Sequence, residues 1–174
     1  MRLWTEENLP PLKNGDLLPK CSSLGQQSDI VRYEALLSEG GVYVDTDMEC
    51  ARNIEPLVQD ADFFALCRDP RIQSGERYSN ALFGTRMGHP ILSEVVTQLR
   101  KNFRPAPWTA IGPIYFSSIL KDHIEEFLSL PCATSFDFNK GRRHGPARIT
   151  ARTYLVNHHS SKWFPPSAAP LRKN

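Results

Sequence analysis

Two pairs of aspartates stand two residues apart in this chain, Asp45 with Asp47 and Asp60 with Asp62. On extended backbone, carboxylates at i and i+2 point the same way, about 7 Å apart. Such a pair can grip a hard divalent cation, both directly or one of them through water. The two contexts differ. Asp45 closes the apolar run Val42, Tyr43, Val44, and the carboxyl ends of strands are where open α/β sheets bind ligands. Asp60-Ala61-Asp62 stands before an apolar run and reads as a solvated turn. For Asp45 and Asp47 alone, a cation site and a plain polar strand end both fit the pattern.

The elements that must position that turn are legible around it. Ser28 stands where a helix cap would, and Ile30, Tyr33 and Leu37 follow at helical spacing, widened by Val31, Ala35 and Leu36. Gly40-Gly41 ends that helix, because glycine readily takes the conformation a helix end requires. Helix, glycine pair, β-prone strand and acidic turn therefore form one unit. Further strands are expected at residues 2–4, 63–66 and 149–156, with a polar loop over 68–80. His89-Pro90 opens a helix carrying Ile91, Leu92, Val95, Val96 and Leu99. Gly112-Pro113 opens another, its stripe running through Phe116, Ile119, Leu120, Ile124, Phe127 and Leu128. Helices alternating with short strands give a single α/β domain. Residues 164–174 show no periodicity and are expected to be a flexible tail.

Composition narrows the classes. The 174 residues are 40% hydrophobic and 23% charged, with 21 basic and 19 acidic side chains. A net charge of +2 argues against a dedicated nucleic-acid binder. The longest uninterrupted apolar run, residues 63–67, falls far short of the roughly 20 residues needed to span a bilayer. The four cysteines form no CxxC pair, which favours free thiols in a reducing compartment over two disulfides. With no targeting segment visible, the expected location is cytoplasmic, with peripheral membrane contact left open.

The run from Ser28 to Leu37, followed by Gly40-Gly41-Val42-Tyr43-Val44-Asp45-Thr46-Asp47, resembles the signature of glycosyltransferase family 32. That family holds DXD-containing sugar transferases of capsular, lipopolysaccharide and outer-chain mannan synthesis. The large clostridial glucosylating toxins share the same catalytic signature. Other stretches fit in order: Ser79-Asn80-Ala81 then Gly88-His89-Pro90 resembles the family's "NA…GHP" segment. Thr109 with Gly112-Pro113 resembles its "T-GP" helix start. His158-His159-Ser160-Ser161-Lys162-Trp163 resembles its "HHxxSW" ending, with lysine where serine is usual.

The resemblance implies a GT-A type fold, a Rossmann-like mixed sheet flanked by helices, with residues 1–163 as the catalytic domain. It implies a UDP- or GDP-sugar donor, a glycan or glycolipid acceptor, and retention of anomeric configuration. Asp45 and Asp47 would bridge Mn²⁺ or Mg²⁺ to the donor diphosphate. His158, in preference to His159, would be a further metal ligand. Ser161 would lie near the metal or β-phosphate, and Trp163 would bond phosphate through its indole N–H. One imidazole among oxygen ligands tilts the choice toward Mn²⁺. Asp29 and Arg32 would contact donor hydroxyls, or else serve as a capping aspartate and a surface ion pair. Tyr43 faces either the ligand or the core, and Asn80 is either a donor contact or a turn residue. The basic residues Lys140, Arg142, Arg143, Arg148 and Arg152 form a solvated face or meet anionic lipid or acceptor phosphate.

The match departs from the family at its start, where members carry an extra strand of the kind "IPKxIHxxW". The expected fold therefore lacks its first strand, and the competing reading is a truncated chain that binds nucleotide-sugar or glycan without turnover. A haloacid-dehalogenase-type phosphotransferase also uses a strand-end DxD. It wants Thr or Val two residues past the second Asp, where this chain has Glu49.

Overall fold

Alternating side chains along the apolar run at 63–66 sort the molecule into two cores. The computed structural model describes residues 3–5, 7–68, 77–105, 108–137 and 151–158. Its strands are β1 (Gly41–Val44), β2 (Met48–Cys50), β3 (Phe63–Cys67), β4 (Tyr78–Thr85), β5 (Leu128–Leu130), β6 (Ser135–Asp137) and β7 (Leu155–Asn157). Its α-helices are α1 (Leu24–Glu39), α2 (Glu55–Val58), α3 (Pro90–Asn102) and α4 (Pro113–Leu120). The main sheet runs β1-β4-β3-β5, with β4 antiparallel to both neighbours and β5 parallel to β3. A smaller sheet runs β2-β7-β6.

Because successive side chains leave a strand on opposite faces, Phe63, Ala65 and Phe83 join the core shared with α1, α3 and α4. Phe64, Leu66 and Leu82 face the other way, against Leu130, Leu155 and the region of α2. This mixed α/β arrangement is consistent with the GT-A-like domain expected from sequence. No helix among the described residues is long and apolar enough to cross a membrane.

Local chemistry accounts for several boundaries. The cap of α1 is Ser23, whose side chain accepts from the Gln26 amide, and not Ser28. Gly25 is the one weak helix former between Leu24 and Ser28, costing about 1 kcal/mol, and the Ser23 cap lets the helix start earlier and carry Asp29 and Arg32 beyond its first turn. Gly40 ends it at φ 70, donating its amide to the Leu36 carbonyl. A side chain there would also press to 2.7 Å from the Met87 backbone nitrogen. His89 caps α3, its ring Nδ1 accepting from the Ile91 amide, and the five expected apolar residues of α3 are buried.

Besides the cap of α1, four expectations fail on boundaries. Residues 3–5 form no strand, and residue 2 lies outside the described set. The helix opened by Pro113 stops at Leu120, passes into a 3₁₀ segment kinked at His123, and yields to β5. Parallel pairing of Phe64 with Leu128 outweighs the helical stripe there. The last strand is only Leu155–Asn157, and residues 149–150 lie outside the described set.

The fourth failure matters most for the site. The end of the expected polar loop, residues 78–80, begins β4, buried along its whole length. Its register against β3 slips after Ala65: Leu66 pairs with Ser79, where regular pairing would give Leu82. Asn80, Ala81 and Leu82 are thus extra residues on β4, a bulge that frees their backbone from the β3 ladder and bends the strand. Residues 164–174 lie outside the described set.

Gly84 lies under the Phe64 ring, and an added methyl would come within 2.1 Å of Phe64 Cε1. Gly84→Ala is expected to lower stability by ~1–3 kcal/mol, read as a fall in the urea midpoint at unchanged slope.

Candidate functional site

Helix α1, strand β1 and the bulge of β4 converge on one guanidinium. Arg32 is only 5% exposed, as is Asp29 one turn earlier on the same helix. Arg32 Nε donates to the Ser28 carbonyl at 3.2 Å and lies 3.4 Å from Asp29 Oδ1. Nη2 donates to Ser28 Oγ at 3.0 Å. Nη1 donates to the Asn80 carbonyl at 2.7 Å and pairs with Asp45 Oδ1 at 3.1 Å. The bulge explains the first Nη1 contact, since it leaves the Asn80 carbonyl available to the helix. Beneath the guanidinium lies the ring of Tyr43, its centroid 4.5 Å away, a cation–π contact in a desolvated setting.

Around this cation the hydrogen bonds close into a network. Tyr43 gives its hydroxyl proton to Asp45 Oδ1 at 2.8 Å and sits 3.4 Å from Ser28 Oγ. Asn80 Nδ2 donates to Asp29 Oδ1 at 2.7 Å and to the Tyr33 hydroxyl at 2.9 Å. Asp45 is further fixed by its own amide, which donates to the Ala81 carbonyl. Strand parity therefore turns Tyr43 inward, and Asn80 is a strand residue of the network, not a turn residue.

Burial would weaken the charge on Arg32, but Asp29, Tyr43 and Asp45 outweigh it and hold the guanidinium ionised. Burial pushes the Asp29 carboxyl from an ordinary 3.8 up to about 7, against the pull of Arg32 and the bond from Asn80, with Asp45 adding to the rise. Burial likewise drives the Tyr43 hydroxyl well above its usual range.

The acidic turn joins this network to the smaller sheet. Beyond Asp45 the chain turns through Asp47 into β2, which pairs with β7 so that Met48 faces Asn157. That register brings the His158 amide to the Asp47 carbonyl at 2.9 Å. The His158 ring meets Glu49 instead, Nε2 to Oε2 at 2.9 Å. Backbones of Asp47 and His158 are thus neighbours, while Asp45 Oδ1 is engaged by Arg32 and Tyr43. Among the described residues, no three His, Cys, Asp or Glu side chains are grouped to hold a metal ion.

Ser161, Trp163 and His159 lie outside the described residues, as do Lys140, Arg142, Arg143 and Arg148; Arg152 is exposed. The second aspartate pair behaves as a solvated turn: Asp62 makes an exposed ion pair with Arg86 at 3.5 Å, and Asp60 is exposed. Sequence reasoning missed Tyr33, read only as a core residue, and Glu49, the partner of His158. Helical spacing does put Tyr33 one turn after Asp29 on the same face, but its polar partners come from β4 and from Ile111, distant in sequence.

Residues 7–64 match a family described as glycosyltransferase sugar-binding region containing DXD motif. Inositol phosphoceramide mannosyltransferase 1 of Schizosaccharomyces pombe is 31% identical over 127 residues, covering 66% of this chain and 38% of its own length. Inositol phosphoceramide mannosyltransferase 3 of the same yeast is 30% identical over 129 residues, covering 67% and 35%. Mannosyl phosphorylinositol ceramide synthase CSH1 of Saccharomyces cerevisiae is 30% identical over 105 residues, covering 56% and 26%. The chain spans less than half the length of each of these relatives. It is a relative of the DXD-containing glycosyltransferases of the family 32 type, and the matched span carries Asp29, Arg32, Tyr43, Asp45 and Asp47.

A raised carboxyl pKa means the folded chain keeps a proton that the unfolded chain releases. The stability contributed by Asp29 is therefore complete below about pH 4 and lost as pH rises through about 7. Asp29→Asn is expected to flatten that dependence. Urea unfolding at about pH 5 and about pH 8 should show wild type losing more stability than the variant. An equal loss in both proteins would mean that Asp29 is already ionised at the lower pH.

Proposed function

We propose that residues 1–163 act as a metal-dependent, retaining sugar transferase. The donor is a UDP- or GDP-sugar and the acceptor a glycan or glycolipid. The names of the relatives make mannose the first sugar to test and an inositol-phosphate ceramide the first acceptor. One observation carries the reading. The buried network joining Asp29, Arg32, Tyr43, Asp45 and Asn80 stands directly beside the acidic turn of a sequence related to DXD sugar transferases.

In this reading Asp29 and Asn80 receive the hydroxyls of the donor sugar at the buried end of the site. Arg32 and Tyr43 hold Asp45 in place, fixing the start of the turn. Asp45, Asp47 and His158 supply two carboxylates and an imidazole, a donor set suited to Mn²⁺ or Mg²⁺. A cation bound there offsets the negative charge that develops on the diphosphate as the glycosidic bond breaks. Placing the imidazole on the cation requires the His158 ring to leave Glu49. Ser161 and Trp163 follow closely on His158 in the chain and are assigned to the diphosphate. Binding at a lipid surface would bring the glycolipid headgroup to the site from outside the bilayer.

The test is hydrolysis of GDP-mannose and of UDP-sugars with and without Mn²⁺. Asp47→Ala is expected to lower metal-dependent hydrolysis by ~100-fold or more, while Asp60→Ala, in the solvated pair of the same spacing, leaves it unchanged. Full activity in Asp47→Ala would sink the metal role. Donor binding by calorimetry with no product in wild type would favour a binding module over an enzyme.

A further inference from the structure

Tyr33 is fully buried, with its ring stacked on Phe116 at 5.6 Å and 12° and set against Phe83 and Tyr115. A core ring needs no hydroxyl, and a buried hydroxyl must find partners or cost stability. Here it has two. Its single proton goes to the Ile111 carbonyl at 3.2 Å, because a carbonyl can only accept. Toward Asn80 the Tyr33 oxygen is therefore purely an acceptor, and it takes one N–H of the side-chain amide at 2.9 Å. The same amide nitrogen gives its other proton to Asp29 Oδ1 at 2.7 Å.

A carboxamide can be turned over to exchange its oxygen and its nitrogen at little steric cost. Turned over, Asn80 would set its carbonyl against both the Tyr33 oxygen and the Asp29 carboxylate. We propose that Tyr33 is a positioning residue of the donor-sugar subsite: by presenting only a lone pair, it selects the orientation of the Asn80 amide and through it fixes Asp29. The inference rests on the assignment of Asp29 and Asn80 to the donor sugar. It adds to that assignment a residue that touches no ligand, and it ties the subsite to the segment leading into α4 through Ile111.

Other groups facing Asp29 do not do this work. Arg32 on the same helix and Asp45, which act on Asp29 through charge, are indifferent to which way the Asn80 amide is turned. The Tyr33 oxygen distinguishes the two orientations even when Asp29 is protonated.

The experiment uses the whole chain and Tyr33→Phe, which keeps the stacked ring and removes one oxygen. In wild type, both Asn80 side-chain amide protons should exchange slowly by NMR; fast exchange of either proton overturns the inference without any variant. In Tyr33→Phe, exchange should quicken about tenfold or more. Affinity for GDP-mannose should fall about tenfold while affinity for GDP, which lacks the sugar, stays the same. A merely structural role predicts equal losses for GDP-mannose and GDP, and that result overturns the inference, as does an unchanged affinity for both. Wild-type protein that binds GDP but treats GDP-mannose and UDP-sugars no differently defeats the donor reading itself, a result distinct from a defect confined to Tyr33→Phe.

Discussion

The site depends on a single buried cation. Arg32 pairs with Asp29 and Asp45 and takes carbonyls from Ser28 and Asn80. Removing any of these charges from water costs several kcal/mol, which attraction offsets only when geometry and additional hydrogen bonds are good. That condition is met by drawing three elements together: the helix that carries Arg32 and Asp29, the end of β1 that carries Asp45, and the bulged part of β4. A guanidinium suits the task better than an ammonium would. Its fixed fork reaches several acceptors at once, and its plane lies over the Tyr43 ring.

The bulge in β4 is the backbone counterpart of that charge cluster. Three residues slip out of register against β3, and the carbonyl they release becomes a ligand of Arg32. Their Asn80 side chain enters the network while Leu82 still enters the second core. The strand thus serves two apolar cores and the polar network at once. Gly84, two residues beyond Leu82, lets the Phe64 ring lie directly on the strand. Packing on both faces of the sheet and the carbonyl contact to Arg32 are fixed by the same eight-residue strand.

The acidic turn stands between two sheets. β1 belongs to the main one and β2 to the smaller, so Asp45 and Asp47 answer to different neighbours. Asp45 is held from the α1 side, whereas Asp47 and His158 are set beside each other by the β2–β7 register. Identical spacing at Asp60 and Asp62 leads only to an exposed pair with Arg86. Spacing alone supplies proximity; the surrounding elements decide which partners each carboxylate meets.

Much of this was legible in the residues. The helix-glycine-strand-turn unit, the capped α3 and the family resemblance of residues 28–47 follow from local patterns, because periodicity, capping and turn chemistry act over a few residues. The family 32 relationship also named Asp29, Arg32, Tyr43, Asp45 and Asn80 before any contact among them was visible. Tertiary structure alone decided which way Tyr43 faces, that Asn80 stands in a bulged strand, and that Arg32 reaches beyond its own helix to Asp45 and the Asn80 carbonyl. It also decided that residues 127–130 leave a helical stripe for a strand beside β3. The contacts that settle these points run between elements, as with Ser28 and Tyr43 or Arg32 and Asn80. Register, burial and desolvation are set between elements, and no local pattern carries them.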